Sequence, residues 1–196
     1  MDIFENNEIV KRSKRSFAAR KALGYGKNFE SFISAACDYY RDKGLADIVK
    51  VDEPFMVLEL YDRGRFKGQF TKKANPDFEG TLKGGHSICF EAKYTSQKRM
   101  AKSVISDKQE EVLSYKSVLG AVVGVCVGII DRYFFVPWEV WANMEEIYGK
   151  KSVNADDLAK FEVKFRRGIM FLDRVKRWNI GIKILRRQTK IPRRKL

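Results

Sequence analysis

One histidine, three cysteines and four prolines in 196 residues remove several chemistries at once. His86 alone excludes multi-histidine metal sites, and Ser-His-Asp catalysis survives only if His86 itself is the base. Cys37, Cys89 and Cys126 lie far apart, form no C-x-x-C pair, and each falls in an apolar helix or strand pattern. They read as reduced core thiols of a cytosolic protein rather than zinc ligands. No apolar run reaches membrane-spanning length without a break, and Met1-Asp2-Ile3-Phe4-Glu5 lacks the form of a signal peptide, so a cytoplasmic location away from membranes is expected.

Acid is scarce at both ends. Residues 161–196 hold thirteen Lys or Arg against Glu162 and Asp173, and residues 1–27 hold seven against three, while the stretch between is nearly neutral. Basic ends of this density attract polyanions by releasing counterions from phosphates, so nucleic acid is the expected partner, ahead of an anionic membrane surface. Candidate phosphate contacts are Lys27 in the first segment and Arg186, Arg187, Lys190, Arg193, Arg194 and Lys195 in the last. The chain thus divides into a basic arm (1–27), one folded domain (28–175) and a basic tail (176–196).

The folded part alternates helical and strand patterns. Phe29, Phe32, Ile33, Ala36, Cys37 and Tyr40 recur at helical spacing between Asn28 and Lys43, with Gly44 as terminator. Strand-like runs follow at Asp47–Val51, Phe55–Tyr61 and Arg65–Thr71, the last two joined by Asp62-Arg63-Gly64 as a hairpin. Arg63, Arg65, Lys67, Lys72 and Lys73, interleaved with Phe66 and Phe70, suit contacts to phosphate and base, although an ordinary solvated hairpin would also carry them. Ser106-x-x-Gln109 is a capping box opening a helix to Leu119, and Ala121–Ile130 is a Val- and Ile-rich run expected for a strand buried on both faces. Arg132–Val136 reads as its hairpin partner. Pro137 opens a helix through Ile147, and Asn154–Lys160 reads as a further helical piece.

Chemistry concentrates between Asn75 and Lys93. Asp77 lies fourteen positions ahead of Glu91, and in His86–Tyr94 the strand period puts Glu91 and Lys93 on one face and Ile88, Phe90 and Ala92 on the other. Two carboxylates with a nearby ammonium suit metal-assisted phosphodiester hydrolysis: hard oxygen ligands for Mg²⁺ and a cation for the charge growing on the phosphate. The spacing alone is weak. Glu162-Val163-Lys164 repeats it in a stretch that reads as structural or DNA-facing, and Glu91 with Lys93 could be a solvated charge pair. Glu30, in the first helical turn, is either a partner for the helix dipole or an acid that orients a metal-bound water.

The order helix, strand, hairpin, Asp strand, Glu-x-Lys strand, helix and buried strand resembles the PD-(D/E)xK nucleases, an α/β restriction-endonuclease-like fold with a mixed β-sheet flanked by helices. Tyr39-Tyr40, Val49-Lys50-Val51-Asp52, Asp77-Phe78-x-Gly80, Phe90-Glu91-Ala92-Lys93, Gln109 and Pro137 after Phe134-Phe135 are similar, over residues 24–175, to the RecU family of Holliday junction resolvases. The resemblance implies a homodimeric, Mg²⁺-dependent endonuclease, with Mn²⁺ as a substitute and no small-molecule cofactor, that nicks two opposing strands of a four-way DNA junction. It implies Asp77, Glu91 and Gln109 as metal ligands, Lys93 as transition-state stabiliser, and residues 54–74 as a protruding hairpin stalk. A further family ligand is a threonine two residues before the aspartate, where this chain has Asn75. Two alternatives stay open: another nuclease of the same fold, of restriction or flap type, and a DNA-binding or recombination-regulating protein without catalysis.

Overall fold

The computed structural model describes residues 28–52, 54–70 and 75–175. Helix α1 (28–42) leads into a five-stranded sheet made of β1 (Ala46–Lys50), β4 (Phe78–Leu82), β5 (Ser87–Thr95), β7 (Val122–Ile129) and β8 (Arg132–Pro137), in the spatial order β1-β4-β5-β7-β8. All neighbours are antiparallel except β5 and β7, which run parallel. A parallel pair needs a long crossover. Here it contains the short strand β6 (Arg99–Ala101) and helix α2 (Asp107–Val118). Strands β2 (Phe55–Leu60) and β3 (Phe66–Phe70) pair only with each other, as a separate hairpin whose described part ends at residue 70.

Strand alternation gives the sheet two apolar faces. On one, Ile48, Phe78, Ile88, Phe90, Cys126 and Phe135 meet Phe29, Ile33, Ala36, Cys37 and Tyr40 of α1 and the segment Ile169–Leu172. On the other, Cys89, Val123, Val125, Val127 and Phe134 meet Leu113 of α2 and Trp138 and Trp141. Both tryptophans are buried in this layer. Phe78 stacks on Phe90 with ring centres 5.1 Å apart, and Phe90 packs in turn on Phe171 at 4.9 Å. Such pairs contribute about 0.5–1.5 kcal/mol each beyond area burial. The first joins β4 to β5 next to Asp77 and Glu91, and the second ties β5 to the segment Ile169–Leu172.

Gly80 has a packing reason. A Cβ there would lie 2.0 Å from the Asp47 carbonyl oxygen of β1, so only glycine lets the two strands come this close.

Two expected helices differ. The helix after Pro137 breaks at Asn143 into α3 (Trp138–Ala142) and α4 (Met144–Tyr148), because the Asn143 side chain donates to the Glu139 carbonyl and its own backbone leaves the helical region. Residues 154–160 do not form one helix: β9 (Ser152–Asn154) pairs with β6, the chain then turns because Asn154 and Asp157 exchange side-chain-to-backbone hydrogen bonds at 2.9 Å, and only a single 3-10 turn, Ala159–Phe161, is helical. Such local bonds compete with helix formation. Glu162 of the second Glu-x-Lys pattern is structural, held by Arg132 through both carboxylate oxygens at 3.0 and 2.7 Å.

Candidate active site

Asp77 ends the turn into β4, and Phe78 is paired with Phe90, which places Asp77 beside Glu91 across the strand pair. One Asp77 carboxylate oxygen accepts from the Ala92 backbone N–H at 2.8 Å, so the acid also clasps the main chain of β5. Lys93 donates to Glu91 Oε2 at 2.7 Å and lies 3.7 Å from Asp77 Oδ2. The three heads converge as strand alternation predicts.

Glu91 is the one buried charged residue among the described residues, with 0% exposure. Its Oε2 takes two donors, Lys93 Nζ and Gln109 Nε2, each at 2.7 Å, while its Oε1 is buried without a partner. Burial pushes the carboxyl up to about 7, the Asp77 charge adds to this, and Lys93 opposes both. Burial pulls the Lys93 ammonium down, but Glu91 and Asp77 outweigh it and hold Lys93 above its ordinary value, firmly cationic. A buried acid, a flanking acid and a sheltered cation are the grouping expected at a chemical centre.

Gln109 reaches the cluster from α2. Its Oε1 accepts from the Ser106 backbone N–H at 3.1 Å and from Ser106 Oγ at 3.2 Å, completing the capping box, while its nitrogen faces Glu91. Helix capping and contact with the acid are therefore simultaneous uses of the two ends of one amide.

Residues 24–177 match the family described as RecU, Recombination protein U. The chain belongs to the RecU family. Among relatives named Holliday junction resolvase RecU, that of Lactococcus lactis subsp. cremoris is 36% identical over 96 residues, and that of Streptococcus thermophilus 40% over 95. These matches span 45% of the relatives' length and 46% and 45% of this chain. The Streptococcus pneumoniae protein of the same name is 26% identical over 171 residues, covering 80% of this chain and 85% of its own. Among solved structures, Archaeoglobus fulgidus Hjc, a Holliday junction resolvase, aligns with a TM-score of 0.42 and 13% identity over 69% of this chain and 93% of its own.

The other residues singled out in this RecU-family chain fall in several places. Glu30 on α1 pairs with Lys50 at the end of β1, 2.7 Å away. That hydrogen bond is the main cause of the raised Lys50 pKa, which burial opposes and the charges of Glu30 and Asp77 support. Lys50 is thus a second cation, beside Lys93, that feels the Asp77 charge and that motif spacing did not single out as a site residue. Its signal was its place in Val49-Lys50-Val51-Asp52, where strand alternation puts it on the α1 face with Ala46 and Ile48. Asn75 is exposed just ahead of Asp77 and, among the described residues, makes no hydrogen bond to the cluster. Arg63, Arg65 and Lys67 are exposed on the β2–β3 hairpin, with Arg63 at its tip in the left-handed region (φ 61°) and Lys67 paired with Glu59 at 3.1 Å. Lys27, Lys72, Lys73, Arg186, Arg187, Lys190, Arg193, Arg194 and Lys195 lie outside the described residues. Among the described residues no helix is long and apolar enough to cross a membrane, and no group of three or more His, Cys, Asp or Glu forms a metal cluster.

Proposed function

We propose that the chain is a divalent-metal-dependent endonuclease that resolves four-way DNA junctions by paired nicks in two opposing strands, acting as a homodimer in the cytoplasm. The observation that carries it is the convergence of Asp77, Glu91 and Lys93, together with a second Glu91 carboxylate oxygen, Oε1, that is buried without a hydrogen-bond partner. Burying a lone pair without a partner costs about 1–3 kcal/mol, and a cation ligated there would offset it.

The donor set fits a hard cation. Asp77 and Glu91 present oxygen only, and Mg²⁺ is commonly held by one or two carboxylates with water and substrate phosphate filling the rest. These two residues would hold the ion, which when bound would neutralise phosphate charge and make a water more acidic. Mn²⁺ suits the same oxygens.

The chain's own groups do the remainder. Lys93 keeps its charge because two acids flank it, and it offsets the negative charge that grows on the scissile phosphate. Gln109 and Lys93 fix the Glu91 rotamer. Arg63, Arg65 and Lys67 extend positive charge along the exposed hairpin, where phosphates orient the substrate. Two centres related by a twofold axis can cut both strands of a twofold-symmetric junction, which is the physical case for a dimer.

The test compares wild type with Asp77→Asn, Glu91→Gln and Lys93→Ala on junction, flap and linear duplex DNA. Each variant should lose at least about 100-fold in cutting rate, as removal of one transition-state-stabilising group commonly does, while still binding the junction. Wild type should prefer the junction and make paired nicks. Protein inert with both Mg²⁺ and Mn²⁺ would sink the enzymatic reading in favour of a DNA-binding role, and preference for linear or flap DNA would point to another nuclease type.

A further inference from the structure

We propose that the turn Lys164-Phe165-Arg166-Arg167 is a phosphate-binding platform, separate from the hairpin, that grips the backbone of the DNA duplex leading into the centre of Asp77, Glu91 and Lys93. The substrate it serves rests on the nuclease reading above. All four side chains are exposed, Phe165 by 47%. Among the described residues Lys164, Arg166 and Arg167 make no ion pair, whereas Arg41, Lys50, Lys116 and Arg132 elsewhere on the body each do. The nearest acid in the chain, Glu162, is taken up by Arg132. Three like charges in four residues repel one another, and a polyanion laid across them relieves that repulsion while releasing its own counterions. Arg166 also lines an open groove with Lys83 and His86, in which Asp173 is the one acid, so the basic surface continues along the flank of α1.

The turn is held in place before any ligand arrives. At its base the Val163 N–H donates to the Tyr133 carbonyl of β8 at 2.9 Å, and the Ile169 N–H donates to the Phe32 carbonyl of α1 at 3.1 Å. Within it, Met170 N–H reaches the Lys164 carbonyl at 3.0 Å and Arg166 N–H the Gly168 carbonyl at 3.1 Å. A Cβ on Gly168 would lie 2.5 Å from the Phe32 carbonyl oxygen, so glycine lets the turn lie flat on the helix. A platform ordered in this way spends little conformational entropy on binding.

Its place relative to the acids follows from a ridge of rings. Phe165 lies 5.6 Å from Tyr133, Tyr133 lies 6.0 Å from Phe29, and Phe29 lies 5.8 Å from Tyr94, centre to centre. Tyr94 directly follows Lys93 on β5. The turn therefore sits closer to the acids than the length of one duplex turn, about 34–36 Å, and a phosphate gripped there falls within about ten nucleotides of the cut.

The test uses the full chain with both arginines replaced, Arg166→Gln with Arg167→Gln. Binding to junction DNA should weaken, and the dependence of log K on log salt should become shallower by about 2, since each phosphate contact carries about 0.9. Arg166→Lys with Arg167→Lys keeps both charges and should restore the dependence. In ethylation interference, wild type should require phosphates within about ten nucleotides of the cut that the glutamine variant no longer requires. Tm should stay at the wild-type value, because neither head holds the fold; a clear fall would overturn the assignment. So would an unchanged salt dependence, or weaker binding with an identical interference pattern, which is the mark of a general charge effect. Lost phosphates that all lie farther from the cut would overturn the placement. Wild type that binds junctions with this pattern but cuts with neither Mg²⁺ nor Mn²⁺ would sink the nuclease reading and leave the platform standing as a DNA contact.

Discussion

Shut off from solvent, the Glu91 carboxyl is pushed up to about 7 by burial and by Asp77, against the pull of Lys93. The sign of the resulting pH dependence follows from proton counting. Between the ordinary value of 4.5 and about 7, the folded chain holds a proton that the unfolded chain has released. Glu91 therefore contributes stability that is full below 4.5 and is lost as pH rises through about 7. Metal-free wild type should melt below Glu91→Gln at pH 8, the gap should close toward pH 5, and Mg²⁺ should raise the wild-type Tm selectively. Calorimetric scans at the two pH values check this, and a gap that widens toward low pH would contradict the sign. At this scale the sequence was readable where side chains alternate: the shared face of Glu91 and Lys93 follows from the strand period. The partnerless Oε1 and the Lys50–Glu30 pair were not readable, because both depend on which elements lie next to each other across the fold.

The elements that carry the site are held by backbone proximity as much as by side chains. Gly80 lets β1 pair closely with β4, and the added carbon of Gly80→Ala would meet the backbone at Asp47, which cannot yield as a flexible side chain can. Overpacking of this kind costs about 1–3 kcal/mol or more, so Gly80→Ala should lower the urea midpoint clearly and reduce cutting by shifting Asp77. An unchanged midpoint would mean that β1 can slide outward freely. The glycine stood in the motif Asp77-Phe78-x-Gly80, but nothing in the one-dimensional pattern said which neighbour it accommodates. Helix α2 was legible to its cap, since Ser106-x-x-Gln109 is a local signal. The break at Asn143 and the turn at residues 154–157 were missed for a common reason: Asn and Asp side chains there bond to nearby backbone and outcompete a helix that residue propensities allow.

Across the whole molecule, charge and chemistry are segregated. The near-neutral body bears the acids, and the excess of base belongs to the two ends and the hairpin. Removing residues 177–196 takes away eight Lys or Arg and no acid, so affinity for junction, flap and duplex DNA should all fall and the slope of log K against log salt should flatten, with cut positions unchanged. Titrations at several salt concentrations read this directly, and an identical slope would show that the tail is not at the phosphates. The three cysteines have a quite different use. Cys37 on α1 and Cys126 on β7 lie in one apolar layer and Cys89 on β5 in the other, all buried and all with thiols pushed up by burial, Cys37 to about 12 and Cys89 to about 11. The chain therefore carries its own stopwatch for breathing motions: alkylation can proceed only when a layer parts, and the order in which the three sulfurs are tagged tells which side of the sheet opens first.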